Sequence, residues 1–326
     1  MESIINAAEK AKEHGIDISK LPKNLNMTHD TITQNVKAMN ANCKDERMQF
    51  IFDKLIGHLH DFVRETSLTT DEWMTAINFL TETGHKCTDL RQEFILLSDV
   101  LGVSILVDSI NNTKPPQATE GTVLGPFFTE DAHDIEHGGS IASEGKGDYM
   151  YVEGRVLDFR GNPIPNAVID TWETDGHGLY DTQYDKRDGP DCRGRLRSGE
   201  DGSFAYRAVV PVSYPIPSDG PVGRMVSALG RHVFRPAHLH VQIAAPGFES
   251  VTTSLFFEGD PYLTSDVVFG VKSSLIVKPE IINDPEISKA RGFKDVDKPH
   301  AFVKRDFILS TPDEAAQARE LLKEKK

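Results

Sequence analysis

The sequence predicts a mixed fold: an N-terminal α-helical module, an all-β sandwich domain, and a short C-terminal helix. Three observations carry that expectation. Apolar residues recur at helical spacing until about residue 115. After NNTKPPQATEG the texture changes to short strand-like runs broken by Gly, Pro, Asn and Asp. The tail, STPDEAAQARELLKEKK, returns to a helical pattern. The expected division is therefore 1–115 and 116–326.

Taken in order, DERMQFIFDKLIGHLHDFVRET reads as the first clear helix. In TTDEWMTAINFLTETG, Thr70 can cap, acids fill the first turn, Trp73, Ile77 and Leu80 form a stripe, and Gly84 is expected to end the helix. LRQEFILLSDVLGVSILVDSINN also reads as helical, and is apolar enough to be mostly buried. Strands are expected at YMYVEGRVLD, NAVIDTWET, GSFAYRAVV, AHLHVQIAA and ESVTTSLFF, with turns at FRGNPIPN and GEDGS. Many short strands with turn signals suit a sandwich or a barrel. In the tail, Thr311 can cap, Pro312 takes the first helical position, and Glu314 completes a capping box.

Composition narrows the function. The chain has 326 residues and a formal net charge of −14, which leaves no electrostatic footprint for nucleic acid. No basic amphipathic stretch suggests a membrane surface. The longest apolar run, Phe94 to Ile110, contains Asp99 and Asp108 and is too short to span a bilayer. Cys43, Cys87 and Cys192 lie far apart and cannot frame a fold with disulfides. The N-terminus lacks the apolar core of a signal peptide, so the expected location is the cytoplasm. P-loop, GxGxxG, GxSxG and HExxH motifs are absent, and no organic cofactor is expected.

The most informative local pattern is Arg235-Pro-Ala-His238-Leu-His240. Residues two apart on a strand share a face, roughly 6.6–7 Å apart, so two imidazoles there can converge on one metal. The same pattern also suits two ordinary histidines on a half-exposed strand. His58 and His60 have the same spacing on a helical segment, where they sit about 200° apart and cannot share a metal. His133 with His137, and His85 with Cys87, read as loop residues. Tyr180, in DGHGLYDTQ, and Tyr214, in PVSYPIPSDGP, stand in turn-rich places, where a tyrosine usually only packs.

Together these residues resemble a known family. GRVLDFRGNPIPNAVIDTWETDGHGLY, VVPVSYPIP and RPAHLHVQIAAPGF are similar to the signature of the intradiol ring-cleaving dioxygenases, as are EGTVLGPF and QEFILLSDVLGVS upstream. DPYLTSDVVFGVKSSLI and the aspartate of LLSDVLG most resemble the members that act on hydroxyquinol; catechol is the alternative substrate. A non-catalytic metal-binding sandwich is the reading from a different class.

The resemblance implies one non-haem Fe(III) per chain, held by Tyr180, Tyr214, His238 and His240. It implies that Tyr214 accepts a substrate proton and that Arg235 stabilises charge on the activated substrate. It places Leu96, Asp99, Val123, Leu124, Gly125, Pro126, Phe127, Ile216, Pro217 and Val268 around an aromatic diol or triol that reacts with O2. It also implies a homodimer through the N-terminal helices, with a phospholipid at the interface. One departure stands out: Ser254 occupies a position where catechol-cleaving relatives often carry Gln. Its hydroxyl is too short for the same contact, so Ser254 receives no expected role.

Overall fold

Residues 9–15, 17, 19, 27–88 and 91–324 are described by the computed structural model. The chain divides into two compact units, Met1–Leu80 and Thr81–Lys326.

In the first unit, helix α1 (Ile32–Asn40) packs against helix α2 (Glu46–Thr66). Asp45 starts α2 by accepting a hydrogen bond from the Met48 amide, leaving one fewer bare N–H in the first turn. Arg64 donates to the His29 carbonyl and to Thr33 Oγ1, which lies 3.0 Å from His60 Nδ1. His60 is thus a packing residue, while His58 is exposed. Along α2, Met48, Phe50, Ile51, Phe52, Leu55, Leu59, Phe62 and Val63 are all exposed, and no residue of the helix is buried.

Helix α3 (Thr70–Lys86) differs from expectation at both ends. Thr69, not Thr70, is the cap: its hydroxyl accepts from the Glu72 amide, and Glu72 accepts from the Thr69 amide. Gly84 does not end the helix but lies inside it, because no left-handed turn forms there. The apolar stretch after it is two helices, α4 (Glu93–Val100) and α5 (Val103–Asn111), broken at Gly102 with φ +73°. That left-handed conformation suits glycine and interrupts the ladder. The expected burial of this stretch also fails: Phe94, Ile95, Leu101, Val103, Leu106, Val107 and Ile110 are exposed.

Both helices fall within the second unit, so the boundary at residue 80 precedes the change of texture near residue 115. Ion pairs and hydrogen bonds to the strand-rich part explain the difference. Glu93, buried, pairs with Arg91 and accepts from the Val222 amide, and Arg91 reaches Asp219 at 2.6 Å.

The strands are β1 (His133–Asp134), β2 (Tyr149–Leu157), β3 (Val168–Glu173), β4 (Arg193–Arg197), β5 (Ser203–Val209), β6 (Tyr214–Pro215) and β7 (Phe234–Arg235). They continue with β8 (His238–Ala244), β9 (Val251–Phe257), β10 (Ile276–Val277), β11 (Glu280–Ile282), β12 (His300–Lys304) and β13 (Phe307–Ile308). One large sheet runs β1-β4-β3-β8-β9-β10, a second runs β11-β12-β2-β13 with β5 also paired to β2, and β6 and β7 pair separately. Short helices α6 (Pro221–Ala228) and α7 (Pro285–Ala290) interrupt the expected all-β pattern. Helix α8 (Pro312–Glu324) closes the chain with the capping box foreseen between Thr311 and Glu314.

The core between the sheets takes Met150, Val152 and Val156 from β2, Phe204 and Tyr206 from β5, and Leu239, Val241 and Ile243 from β8. Side chains alternate along a strand, so this burial turns His238 and His240 to the opposite face of β8. They are covered there as well: a second cluster gathers Trp172, Tyr180 and Tyr214, with Phe127 and Phe128 packed against it. Strand β8 is therefore buried on both sides, not half-exposed as its sequence allowed.

Candidate active site

Four polar side chains from three places in the chain meet on that outer face. His238 and His240 present their Nε2 atoms to each other at 3.0 Å. Tyr180 Oη lies 3.4 Å from His238 Nε2 and 3.4 Å from Tyr214 Oη. Exposure of the histidines is 1% and 2%, so water does not satisfy them.

Each side chain is held by chemistry that the register dictates. Pairing of β3 with β8 sets Trp172 opposite His240, and the rings stack at 4.7 Å with 6° between their planes. Pairing of β8 with β9 sets Ser254 opposite His240, with Oγ 3.0 Å from Nδ1. Ser254 therefore touches the site after all: a direct cross-strand neighbour needs no long side chain. Tyr214 pairs with Arg235 across β6 and β7. Tyr180 precedes a short turn, and its amide donates to Gln183 Oε1. Phe127 stacks on Tyr180 at 4.3 Å, and Arg193 holds the Phe127 carbonyl while pairing with buried Asp181. Arg187 ties Asp181 to Asp131, whose carboxyl it holds down at about 2.

The donor set fits a metal ion. His238 Nδ1 lies 2.8 Å from the Pro236 carbonyl, which can only accept, so Nδ1 carries the proton and Nε2 presents its lone pair. Burial, reinforced by the Arg235 charge, lowers the His238 pKa well below its ordinary value; His240 is lowered by burial and then by His238, Arg235 and Arg193. Neutral imidazoles are the form that binds metals. Burial also raises the Tyr180 phenol well above its usual range, with Tyr214 adding to the effect. A bound cation reverses that preference and favours the phenolate. Among the described residues no group of three His, Cys, Asp or Glu side chains could hold a metal, so the tyrosines are essential to this set.

Beside the four donors lies a cavity of about 430 Å³. Leu96, Asp99, Val123, Gly125, Pro126, Phe127, Tyr214, Ile216, Pro217, Arg235 and Val268 line it, which brings together all but one of the expected pocket residues. The exception is Leu124, whose side chain is exposed and absent from the lining. Gln92, Glu93, Thr182 and Gln183 also line it and carried no signal in the sequence. Asp266 was missed too: it pairs with Arg235 from 31 residues away, a distance no local pattern spans. His133, His137, His85 and Cys87 take no part in the cavity.

The chain belongs to the intradiol ring-cleavage dioxygenase family. The family description "Catechol dioxygenase N terminus" matches residues 45–119, and "Dioxygenase" matches residues 123–299. The intradiol ring-cleavage dioxygenase hqdA of Aspergillus niger is 49% identical over 300 residues, 92% of this chain and 90% of that one. The 6-chlorohydroxyquinol 1,2-dioxygenase of Cupriavidus pinatubonensis is 50% identical over 245 residues, 75% of this chain and 89% of its own. The solved structure of hydroxyquinol 1,2-dioxygenase from Pseudomonas putida DLL-E4 superposes with a TM-score of 0.81 at 46% identity, covering 87% of this chain and 98% of that one.

Burial raises the Asp99 carboxyl, against a hydrogen bond from Ser104 and the pull of Arg235. A raised carboxyl disfavours the ionised form in the folded state, so its penalty is full above the folded pKa and absent below the unfolded value of about 3.9. Asp99→Asn should therefore be more stable than the unmodified protein at pH 7. That advantage should shrink as pH falls through the carboxyl's folded pKa. Urea midpoints across this range test it; a less stable variant at pH 7 counts against it.

Proposed function

We propose that this protein cleaves hydroxyquinol (1,2,4-trihydroxybenzene) with O2 between its adjacent hydroxyl carbons, giving 3-hydroxy-cis,cis-muconate, or maleylacetate as its keto tautomer. The observation that carries this reading is a single cavity in which Tyr214, Arg235 and Asp99 meet beside four converging metal donors. The names of the similar proteins from Cupriavidus and Pseudomonas support the substrate class.

In this reading Tyr180, Tyr214, His238 and His240 hold one non-haem Fe(III). When bound, that ion would supply Lewis acidity that favours the ionised diol and makes its ring reactive toward O2. The chain's own residues do the rest. Tyr214, which lines the cavity, takes a proton from the entering diol. Arg235 is buried, yet Asp266 keeps its guanidinium firmly charged, so a fixed cation faces the negative charge that develops on the substrate. Asp99 lies one turn beyond Leu96 on α4, and both reach the cavity. Its carboxylate accepts a hydrogen bond from the third ring hydroxyl, which catechol lacks. Phe127, Ile216, Pro217 and Val268 flank the ring with apolar surface.

The exposed apolar stripe of α2 supports a homodimer through the N-terminal helices, and a phospholipid at that interface belongs to the same reading. Residues 1–115 supply that face and 116–326 the metal-binding groups, with Leu96 and Asp99 crossing the line. Sedimentation should give twice the chain mass of 36.2 kDa; a monomer at all concentrations would count against the dimer. Action in the cytoplasm agrees with three free cysteines, which suit a reducing compartment. Among the described residues, no helix is long and apolar enough to cross a membrane.

Purified protein should carry about one iron per chain and a visible tyrosinate-to-iron band that shifts when a diol is added. His238→Ala or His240→Ala should remove both metal and colour; a colourless preparation with full activity would overturn the assignment. Substrate choice provides a separate test. A site built to bond a hydroxyl rejects the analogue without it. Hydroxyquinol should be preferred by at least about tenfold in kcat/KM, the scale of one charge-assisted hydrogen bond. Asp99→Ala should erode that preference more than it lowers catechol turnover. Equal losses on both substrates, or faster catechol cleavage by the unmodified protein, would favour catechol instead.

A further inference from the structure

We propose that the turn 266–270 is a clamp that sets the position of the Arg235 guanidinium, with Asp266 as its positioning residue and Gly270 as the space it requires. The inference rests on the reading of the cavity as a ring-cleavage site.

Arg235 and Asp266 are each only 4% exposed and meet through two hydrogen bonds. Nε lies 3.2 Å from Oδ1 and Nη2 lies 3.3 Å from Oδ2. A two-pronged pair fixes direction as well as charge. It uses up one edge of the guanidinium and leaves Nη1 aimed at the metal donors, 3.1 Å from His238 Nε2.

The carboxylate is itself held. Oδ2 accepts from the Gly270 amide at 2.9 Å, and Oδ1 accepts from the Val268 amide at 3.3 Å. Between them Phe269 sits at φ +60°, a conformation that a side chain disfavours and that persists only where its surroundings impose it. Such outliers cluster at working sites.

Gly270 completes the clamp. A Cβ there would stand 2.9 Å from Arg235 Nη2, 3.2 Å from Asp266 Oδ2 and 3.3 Å from Thr122 Oγ1. Thr122 Oγ1 also donates to the Gly270 carbonyl at 2.9 Å, so the backbone has little room to retreat. Val268, from the same turn, lines the cavity. One short segment thus places both a cation and an apolar wall.

A simpler role for Asp266 would be to offset the buried charge of Arg235. The two roles separate at Gly270, because Gly270→Ala keeps both charges and presses most closely on the guanidinium. The experiment uses the full iron-loaded chain and the variants Gly270→Ala, Asp266→Asn, Asp266→Glu and Arg235→Lys. Kinetics, iron content, the resting visible band and the urea midpoint are measured for each.

Gly270→Ala and Asp266→Asn should retain iron and the resting band while kcat falls by about 10²-fold, the scale of a 1 Å misplacement. KM should change much less. Added to Arg235→Lys, Gly270→Ala should cost little more, since coupled residues are not additive. Native kcat in Gly270→Ala with only a lowered urea midpoint would overturn the clamp, as would losses that multiply in the double variant. If Asp266→Asn fails to fold, Gly270→Ala and Asp266→Glu carry the same comparison. Should the unmodified iron protein cleave no diol, the ring-cleavage reading falls by itself. The clamp is then judged by the crystal structure of Gly270→Ala, where an unmoved Nη1 beside His238 overturns it.

Discussion

Two imidazole nitrogens 3.0 Å apart, both sealed from water, are the constraint around which this molecule is arranged. Burying an unsatisfied polar group costs several kcal/mol by transfer measurements. The two imidazoles and two phenols gathered here therefore depend on partners, among them the Pro236 carbonyl, Ser254 and Arg235, that the rest of the fold must hold in register. The structure answers with a strand buried on both faces. Leu239, Val241 and Ile243 tie β8 to the core, while Trp172, Phe127 and Ser254 hold the face that carries the histidines. On the face that carries the histidines, every one of these supports comes from another part of the sequence.

Charge follows a similar plan. The chain is strongly acidic, yet the cavity has a buried arginine at its inner end. Asp266 keeps that arginine charged, and the Arg193–Asp181 pair holds the wall on which Tyr180 stacks. Both ion pairs are buried, and both hold a working group by its backbone or its edge. Asp99 stands apart because burial works against its ionisation. A carboxylate kept at a cost beside a pocket is a candidate for recognition.

The helices divide the labour differently. α4 gives the cavity Leu96 and Asp99, and its N-terminal end is tied through Glu93 and Arg91 to Asp219 and the Val222 amide, just beyond Ile216 and Pro217. Along α2, by contrast, large apolar side chains remain on the surface. An exposed apolar face of this kind is a surface that a partner can cover.

The sequence by itself determined what local chemistry can encode. Helical and alternating periods separated the helical part from the strands, and Thr311 with Glu314 marked the last helix, because these signals lie within a few residues. Together with the family resemblance, it also identified the two tyrosines, two histidines and one arginine that the fold brings together. Only tertiary structure decided the rest. Gly84 and Gly102 look alike in sequence, yet one stays inside a helix and the other breaks one, since backbone conformation depends on what packs nearby. Leu124 read as a pocket residue and turned outward beside neighbours that turned in. Ser254 had no legible role until strand register set it opposite His240. Asp266 was invisible as the partner of Arg235 for the same reason. Pairings across strands and turns are fixed by burial of the whole core, and no short window of residues contains that information.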